Sequence, residues 1–421
     1  MNLLKADWKA PRGVFWGWYV IAGAFLILSI NYGARYSFGV FVKPLCDEYG
    51  WSRSVVSLGA SINMFVYSTC AIVLGRIVDR IAPRRIITVG ALIACASFML
   101  LKFVKTPLEF YIVYGLLVGV GSAGMGVVVM NSSAAKWFVK KRGTAIGIAT
   151  MGVSFGTFML TPAAGFVIKN FDWRTGFTFI SLLFLASIAF AYFLMGKANP
   201  ESCGLLPDGE TDPEKVLRVD EKSADAGRIS YGDMFSDLRF WIIGISFGLA
   251  VMTLMAAFVH QVAYVEDRGI DKLAAAASLG VVGFAGFLGQ FFYGWLSDRL
   301  RDVKYSAILG MAVMMAGLII LLNMDSLISL YLYALVYGFG YGCLAPMMPI
   351  IIADRFGLRD LGPVYGMLTF FIGIGGSVGP CFAGLIYDLY GSYDLVWQSS
   401  IGILVFVGFL LSSLKRGGPR R

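Results

Sequence analysis

Long apolar runs, separated by short polar stretches, are the dominant pattern along the chain. A helix needs about 20 residues to cross about 30 Å of hydrocarbon. Runs of this length predict twelve membrane-spanning helices, with the approximate bounds 15–42, 54–76, 86–103, 108–133, 144–168, 174–196, 239–264, 273–296, 305–323, 328–352, 362–386 and 393–414.

The composition agrees with this pattern and excludes several classes of protein. Of the 421 residues, 58% are hydrophobic and 14% are charged, and the mean hydropathy is +0.74. A soluble chain is usually about half apolar and about a quarter charged. We therefore expect a multi-pass protein of the cell membrane (inner or plasma membrane), with the lipid bilayer as a partner.

One histidine and six scattered cysteines provide no cluster for a metal or a catalytic centre. We expect no cofactor, no metal ion and no enzymatic activity. A sensor is also disfavoured, because the chain has no room for a signalling domain outside the apolar runs. We expect a monomer.

The net charge of +9 describes orientation, and it predicts no nucleic-acid partner. If both termini are cytoplasmic, twenty lysines and arginines fall in the tails and inner loops, against eight in the outer loops, as the positive-inside rule requires. The twenty are Lys5, Lys9, Arg12, Arg76, Arg80, Arg84, Arg85, Lys136, Lys140, Lys141, Arg142, Arg299, Arg301, Lys304, Arg355, Arg359, Lys415, Arg416, Arg420 and Arg421; the eight are Lys43, Arg53, Lys102, Lys105, Lys169, Arg174, Arg268 and Lys272.

An internal repeat divides the chain into two halves. The hexapeptide GRIVDR at 75–80 recurs as GWLSDR at 294–299, an offset of 219 residues. Four glycines recur at the same offset: Gly143, Gly147, Gly156 and Gly165 as Gly362, Gly366, Gly375 and Gly384. Such a parallel repeat is typical of secondary transporters with a central site between the halves.

The fold predicted from these patterns is an all-α membrane protein of two six-helix bundles. The N-terminal bundle covers residues 1–196 and the C-terminal bundle covers 239–421. Residues 197–238 are polar, with ten acidic and five basic residues, and they predict a cytoplasmic linker.

The repeated GxxxDR motif, followed by Pro83-Arg84-Arg85, resembles the loop motif of the major facilitator superfamily. In that family the glycine permits close helix approach, and the acidic and basic residues form a cytoplasmic charge latch that breaks during alternating access. The resemblance therefore implies gating roles for Asp79, Arg80, Asp298 and Arg299.

A narrower resemblance is to the monocarboxylate transporter branch and its bacterial relatives. The segment WFVKKRGTAIG at 137–147 is similar to that branch's motif at the fifth helix, and Trp16-Gly17-Trp18 is similar to its motif at the first. The resemblance implies proton-coupled symport of a small monocarboxylate. One departure is Gln290, which stands where relatives usually carry an arginine and which cannot neutralise a carboxylate.

Arg35 is the one lysine or arginine that the predicted helices place within the membrane, and Asn31 lies one helical turn before it on the same face. An intramembrane charge is by default a functional residue. A guanidinium suits bidentate recognition of a carboxylate. The alternative is an arginine that extends to the outer interface, because about 19 residues separate it from Trp16.

His260 is the only intramembrane side chain that ordinarily titrates near neutral pH. It could take up a proton when an anion binds, since each ligand would favour the other. The alternative is a neutral histidine that hydrogen-bonds between helices.

Further polar candidates for substrate contact are Gln290, Asn131, Tyr337 and Tyr341. The two tyrosines share one helical face, although aromatic packing is the commoner explanation for such a pair. The predicted partners are thus a small organic anion of the lactate or pyruvate type and a proton. The alternative is an exporter or uniporter for a neutral compound or another organic acid, which the missing arginine at position 290 favours.

Overall fold

The computed structural model describes residues 13–78, 81–138, 141–197, 199–210, 231–356 and 361–415, and these residues form helices and turns without strands. Twelve of the described spans are long and apolar enough to cross a membrane, which confirms the predicted number. They are α1 (Trp16–Tyr36 and Gly39–Tyr49), α2 (Arg53–Ile77), α3 (Pro83–Leu100), α4 (Pro107–Phe110, Tyr111–Val118, Gly119–Ala123 and Val127–Trp137), α5 (Arg142–Asn170), α6 (Trp173–Phe193), α7 (Leu238–Asp267), α8 (Lys272–Arg299), α9 (Lys304–Leu322), α10 (Leu327–Tyr341 and Leu344–Phe356), α11 (Leu361–Tyr390) and α12 (Asp394–Ser413).

Shorter elements lie between the spans. Three 3₁₀ turns cover Leu101–Phe103, Glu201–Cys203 and Pro207–Gly209, and a short helix covers Tyr231–Ser236. Because the chain crosses the bundle twelve times, alternate loops lie at opposite ends. We call the end that carries segment 199–210 the linker end and the opposite end, with loops such as 50–52 and 268–271, the distal end. The charge pattern predicts that the linker end is cytoplasmic.

Polar residues at the loops determine where several helices begin. Each accepts a hydrogen bond from a free backbone N–H of the first turn, which stabilises that turn by about 1 kcal/mol. The capping residues and the helices they begin are Ser52 for α2, Thr106 for α4, Asp172 for α6, Asp237 for α7, Asp271 for α8 and Ser326 for α10.

The first span is longer than the apolar run predicted. The run ends near residue 42, but the helix breaks only at Ser37 and Phe38 and then continues from Gly39 to Tyr49. It stops at Gly50, which adopts the left-handed conformation (φ 64°) that glycine tolerates. The prediction was wrong here because a helix can extend beyond its apolar run when its polar residues reach water.

The repeat seen in the sequence recurs as a repeated backbone contact. In the N-terminal half (α1–α6), Gly156 of α5 lies directly against the carbonyl oxygen of Ser29 of α1. In the C-terminal half (α7–α12), Gly375 of α11 lies directly against the carbonyl oxygen of Gly248 of α7. Both residues of the second pair stand 219 positions after those of the first. A side chain at either glycine would force these backbones apart.

The two halves meet along two seams. Helix α2 packs on α11 and helix α5 packs on α8. Small residues allow the approach: a Cβ at Gly384 of α11 would lie 2.9 Å from the carbonyl oxygen of Arg53, and a Cβ at Gly280 of α8 would lie 2.6 Å from Pro162. Between these seams the halves enclose a cavity.

Candidate functional site

The cavity lies where α1, α2 and α4 of the N-terminal half face α7 and α11 of the C-terminal half. It encloses about 360 Å³ of empty space, including the part that is continuous with solvent. The N-terminal half lines it with Arg35, Tyr36, Phe38, Ala60, Asn63, Met64 and Tyr114, and the C-terminal half with Met255, Phe258, Val259, Gly376 and Pro380.

Among the residues that the structure describes, Arg35 is the one basic residue in this lining. Its side chain is buried, with 9% exposure for the residue, and it lies 14 residues before the end of α1. The guanidinium carbon sits 4.0 Å from the ring centre of Tyr67 and 5.5 Å from that of Tyr32. Such cation–π contacts stabilise a cation without neutralising it.

Within the described part of the chain, no carboxylate forms an ion pair with Arg35. One guanidinium nitrogen, Nη2, donates to the sulfur of Met64 at 3.0 Å, and a thioether is a weak acceptor. Among the described residues, the cavity therefore presents a buried positive charge without a carboxylate partner. This arrangement suits an anionic ligand.

Asn63 and Tyr114 place further polar atoms beside Arg35. The Asn63 amide donates to the backbone oxygen of Tyr114 at 2.9 Å. Tyr114 lies in a π-helical stretch of α4, Tyr111–Val118, a local irregularity that is frequent at functional sites. Neither residue was predicted from the sequence; Asn63 carried the only available signal, as a polar side chain in an apolar run.

His260 lies one residue from the cavity lining and points away from it into a buried network between the halves. Its Nε2 is 3.0 Å from the backbone oxygen of Pro380 and 2.9 Å from Ser57 Oγ, and its Nδ1 is 2.7 Å from the hydroxyl of Tyr393. Because the carbonyl oxygen can only accept, Nε2 carries the hydrogen, and Nδ1 accepts from Tyr393 in the neutral ring. Both ring nitrogens are thus occupied.

Tyr393 joins His260 to a set of charges at the distal end. Arg53 Nη1 donates to the Tyr393 hydroxyl at 2.8 Å, and Arg53 Nη2 lies 2.6 Å from an oxygen of Asp267. Asp388 accepts from the backbone N–H groups of Arg53 and Ser54, at 3.0 and 2.9 Å. Burial raises the pKa of Tyr393, so its hydroxyl stays protonated and can donate.

Two further ion pairs join the halves at this end. Lys43 lies 3.2 Å from Asp267, and Lys169 lies 2.8 Å from Asp271. We call the set formed by Lys43, Arg53, Lys169, Asp267, Asp271, Asp388 and Tyr393 the distal latch. It holds α1, α2 and α5 against α7, α8, α11 and the start of α12.

The other candidate residues do not line the cavity. Asn31 is fully buried and donates to the backbone oxygens of Ser122 and Met125, at 3.0 and 3.2 Å, where α4 is broken. Tyr337 is fully buried and stacks on Tyr333, with ring centres 5.5 Å apart. In the described part of the chain, the buried side-chain oxygen of Asn131 and the Tyr337 hydroxyl have no hydrogen-bond partner.

Gln290 and Tyr341 form a polar bridge between the halves. Gln290 Nε2 donates to Ser154 Oγ at 2.8 Å, and this hydroxyl lies 2.9 Å from that of Tyr341. Tyr341 also packs edge-on against the cavity residue Phe258, at 5.5 Å between ring centres. These two residues thus lie behind the lining, on the α5–α8 seam.

Of the predicted gating residues, Asp298 and Arg299 are exposed at the linker end, and Asp79 and Arg80 lie outside the described residues. The Arg299 guanidinium lies 4.2 Å from the Trp295 ring. Among the described residues, Asp298 forms no ion pair. The predicted gating roles stay predictions.

The chain matches the family described as the Major Facilitator Superfamily over residues 24–332 and 264–417. Monocarboxylate transporter 13 of Rattus norvegicus is 25% identical over 380 residues, which cover 90% of this chain and 84% of that protein. Monocarboxylate transporter 12 of Mus musculus is 24% identical over 438 residues, which cover 98% of this chain and 88% of that protein.

Solved structures share the fold. A bacterial homologue of the human lysosomal transporter Spinster, in an inward-facing and unoccupied conformation, superposes with a TM-score of 0.73 at 16% identity, over 96% of this chain and 99% of that one. Its inward-facing and occupied form also gives a TM-score of 0.73 at 16% identity, over 97% and 100%.

Proposed function

We propose that this chain, which belongs to the major facilitator superfamily and is a transporter related to the monocarboxylate transporters, carries a small monocarboxylate together with a proton by alternating access. It is a multi-pass membrane protein and not an enzyme. The assignment of an anionic substrate rests on Arg35. Its buried guanidinium faces the cavity and forms no ion pair with a described carboxylate.

The charge balance of the cavity supports an anion. A guanidinium taken out of water is costly, and a carboxylate with two oxygens repays this cost through two parallel hydrogen bonds. Asn63 and the hydroxyls of Tyr36 and Tyr114 offer additional hydrogen bonds in the same lining. A ligand with one carboxylate satisfies this set, whereas a second carboxylate would find no further cation in the described lining.

The position of His260 supports a specific form of proton coupling. In the neutral state the hydrogen bonds run from Arg53 to the Tyr393 oxygen and from the Tyr393 hydroxyl to His260 Nδ1. A protonated ring would place a second donor on the same Tyr393 oxygen, next to the positive charge of Arg53. Protonation of His260 thus weakens the distal latch and favours opening at that end.

Uptake into proteoliposomes tests the proposal. With an inward proton gradient, we expect accumulation of at least one labelled short-chain monocarboxylate. The Arg35→Gln variant should lose at least tenfold in affinity, because it removes a charge-assisted bidentate contact. Arg301→Gln, which removes an exposed arginine at the linker end, is the matched control and should behave as the unmodified protein. Unchanged affinity in Arg35→Gln would refute the role of Arg35.

A second variant tests the coupling separately. His260→Gln retains a donor that can reach the Pro380 oxygen but cannot take up a proton near neutral pH. We expect it to keep substrate exchange across the membrane and to lose accumulation driven by the proton gradient. Accumulation at the unmodified level would exclude His260 as the proton-coupling residue. Counterflow of a neutral compound without any pH effect would favour the alternative function, a uniporter or exporter.

A further inference from the structure

The two halves contribute different chemistry to the cavity lining. The N-terminal half supplies the polar atoms, from Arg35, Asn63, Tyr36 and Tyr114. The C-terminal half supplies an apolar surface, from Met255, Phe258, Val259, Gly376 and Pro380. No side chain of this second group carries an N–H or O–H donor.

Two polar groups beside this apolar surface, the Pro380 oxygen and the His260 ring, are already hydrogen-bonded within the protein. The backbone oxygen of Pro380 accepts from His260 Nε2, and both nitrogens of His260 have partners within the protein. A ligand hydroxyl or keto group placed against the C-terminal half would lose its hydrogen bonds to water and find no replacement there. Burial of an unpaired polar group is costly.

Two methionines, Met64 and Met255, make the cavity lining adaptable to the apolar body of a ligand. Gly376 packs closely against two methionines of the lining, since a Cβ there would lie 2.7 Å from Met64 Cε and 3.4 Å from Met255 Cγ. Methionine side chains adapt to irregular apolar shapes.

We propose that the substrate is a monocarboxylate with an apolar body, aliphatic or aromatic, and without a hydroxyl or keto group. Its carboxylate binds the N-terminal half at Arg35 and its body packs against the C-terminal half. This inference rests on the proposed function and narrows its substrate class away from acids of the lactate and pyruvate type.

Affinity across a series of acids tests the inference. Dissociation constants are measured by calorimetry on the full-length protein in detergent for propanoate, butanoate, pentanoate, phenylacetate and lactate, and for the neutral amide of pentanoate. Each methylene moved from water to an apolar surface should lower the dissociation constant about fourfold. We expect pentanoate and phenylacetate to bind most tightly, lactate more weakly than butanoate, and the amide hardly at all.

A pair of variants locates the apolar contact. Val259 lines the cavity, and Val251 lies two turns earlier on α7 with nearly the same exposure (7% and 8%) but outside the lining. Val259→Thr adds a hydroxyl to the apolar surface at almost constant volume and should lower the affinity ratio of pentanoate to lactate about tenfold. Val251→Thr should leave this ratio unchanged.

The outcomes separate the two proposals. Equal binding of propanoate and pentanoate, or lactate binding as tight as that of butanoate, would overturn the apolar-body inference while the carboxylate assignment stands. Binding of the neutral amide as tight as that of pentanoate would overturn the proposed function itself. If Val259→Thr does not fold, the acid series on the unmodified protein decides the question.

Discussion

The two ends of the bundle hold their charges in different ways. At the distal end, the ion pairs Arg53–Asp267, Lys43–Asp267 and Lys169–Asp271 each join one half to the other. At the linker end, the described pairs Arg355–Asp302 and Arg239–Asp237 stay within the C-terminal half. The pairs between the halves must separate when the distal end opens. The pairs within the C-terminal half move together with that half.

Glycine packing shows the same contrast. At the distal end, Gly384 of α11 lies close to α2, and Gly165 of α5 lies against Ala276 of α8. Towards the linker end, a Cβ added at Gly147 or Gly366 would meet no described atom within 4 Å. The structure is therefore closed at the distal end, whereas Gly147 and Gly366 show no such close packing towards the linker end.

We expect the largest effect on the closed distal end from the removal of Arg53. Arg53→Ala leaves the Asp267 carboxylate and the Tyr393 hydroxyl without their shared partner. Loss of one member of a buried pair typically costs about 3–5 kcal/mol, which would shift the ratio of closed to open distal end more than a hundredfold. Distances between spin labels on loops 50–52 and 268–271 should lengthen.

The matched control is Arg174→Gln. Arg174 lies at the same end, but its ion pair with Glu48 stays within the N-terminal half. We expect unchanged label distances in this variant. Unchanged distances in Arg53→Ala as well would show that the distal latch does not hold the end closed.

The second largest effect concerns stability at the linker end. Burial alone would raise the pKa of Asp302, but its hydrogen bond with Arg355, at 2.6 Å, lowers the pKa overall. Asp302→Asn should cost about 1–3 kcal/mol, since it weakens the support of the buried Arg355 guanidinium. The melting temperature should fall while the label distances at the distal end stay constant.

The lowered pKa fixes the sign of the pH dependence. The contribution of Asp302 is fully present above the ordinary pKa of an aspartate, about 3.9, and is lost as the pH falls through the lower folded-state value. The difference in melting temperature between Asp302→Asn and the unmodified protein should therefore be constant from pH 5 to pH 8. A difference that disappears within this range would contradict the assignment.

The same substitution, glycine to alanine, compares the packing at the two ends of the bundle. Gly384→Ala places a methyl group 2.9 Å from the Arg53 carbonyl oxygen and from Ser57 Oγ, so we expect a cost of about 1–3 kcal/mol to the closed distal end. Gly366→Ala enters open space and should be neutral or stabilise α11 by up to about 1 kcal/mol through helix propensity. Label distances and melting temperature together measure both effects; equal responses would contradict the open packing inferred at Gly366.

The smallest effect is expected at the exposed pair. Lys169 and Asp271 retain 42% and 54% of their side-chain exposure, so water and salt screen their attraction. The hydrogen bond from Lys169 lowers the pKa of Asp271, so the pair persists down to acidic pH. Lys169→Ala should leave the label distances nearly unchanged, and any shift should vanish in high salt. A shift as large as that of Arg53→Ala would show that solvent exposure does not determine how strongly each ion pair of the distal latch holds that end closed.

The fold followed from local patterns, whereas much of the site did not. Apolar runs and repeated glycine spacing are local properties, and they predicted twelve spans in two halves and singled out Arg35 as a candidate. The partners of His260 depend instead on how distant helices meet. Ser57 precedes it by 203 residues and Tyr393 follows it by 133, and nothing in either segment signals the contact.

Packing between distant helices also decides which tyrosines line the cavity. Tyr337 and Tyr36 are equally plausible cavity residues in the sequence, yet Tyr337 stacks within the C-terminal half and Tyr36 lines the cavity. Tyr36 is the last residue of the first segment of α1, directly before the break at Ser37 and Phe38. Backbone breaks of this kind arise from packing between helices, which a single sequence does not reveal.

The repeated backbone contact has a mechanical consequence. Where Gly156 touches Ser29, and where Gly375 touches Gly248, the helices meet without an intervening side chain that could change its rotamer. Such contacts resist sliding, because any displacement brings backbone atoms into collision. We therefore expect each half to move as one stiff body, so that opening at the distal latch is accompanied by rotation of α5 and α11.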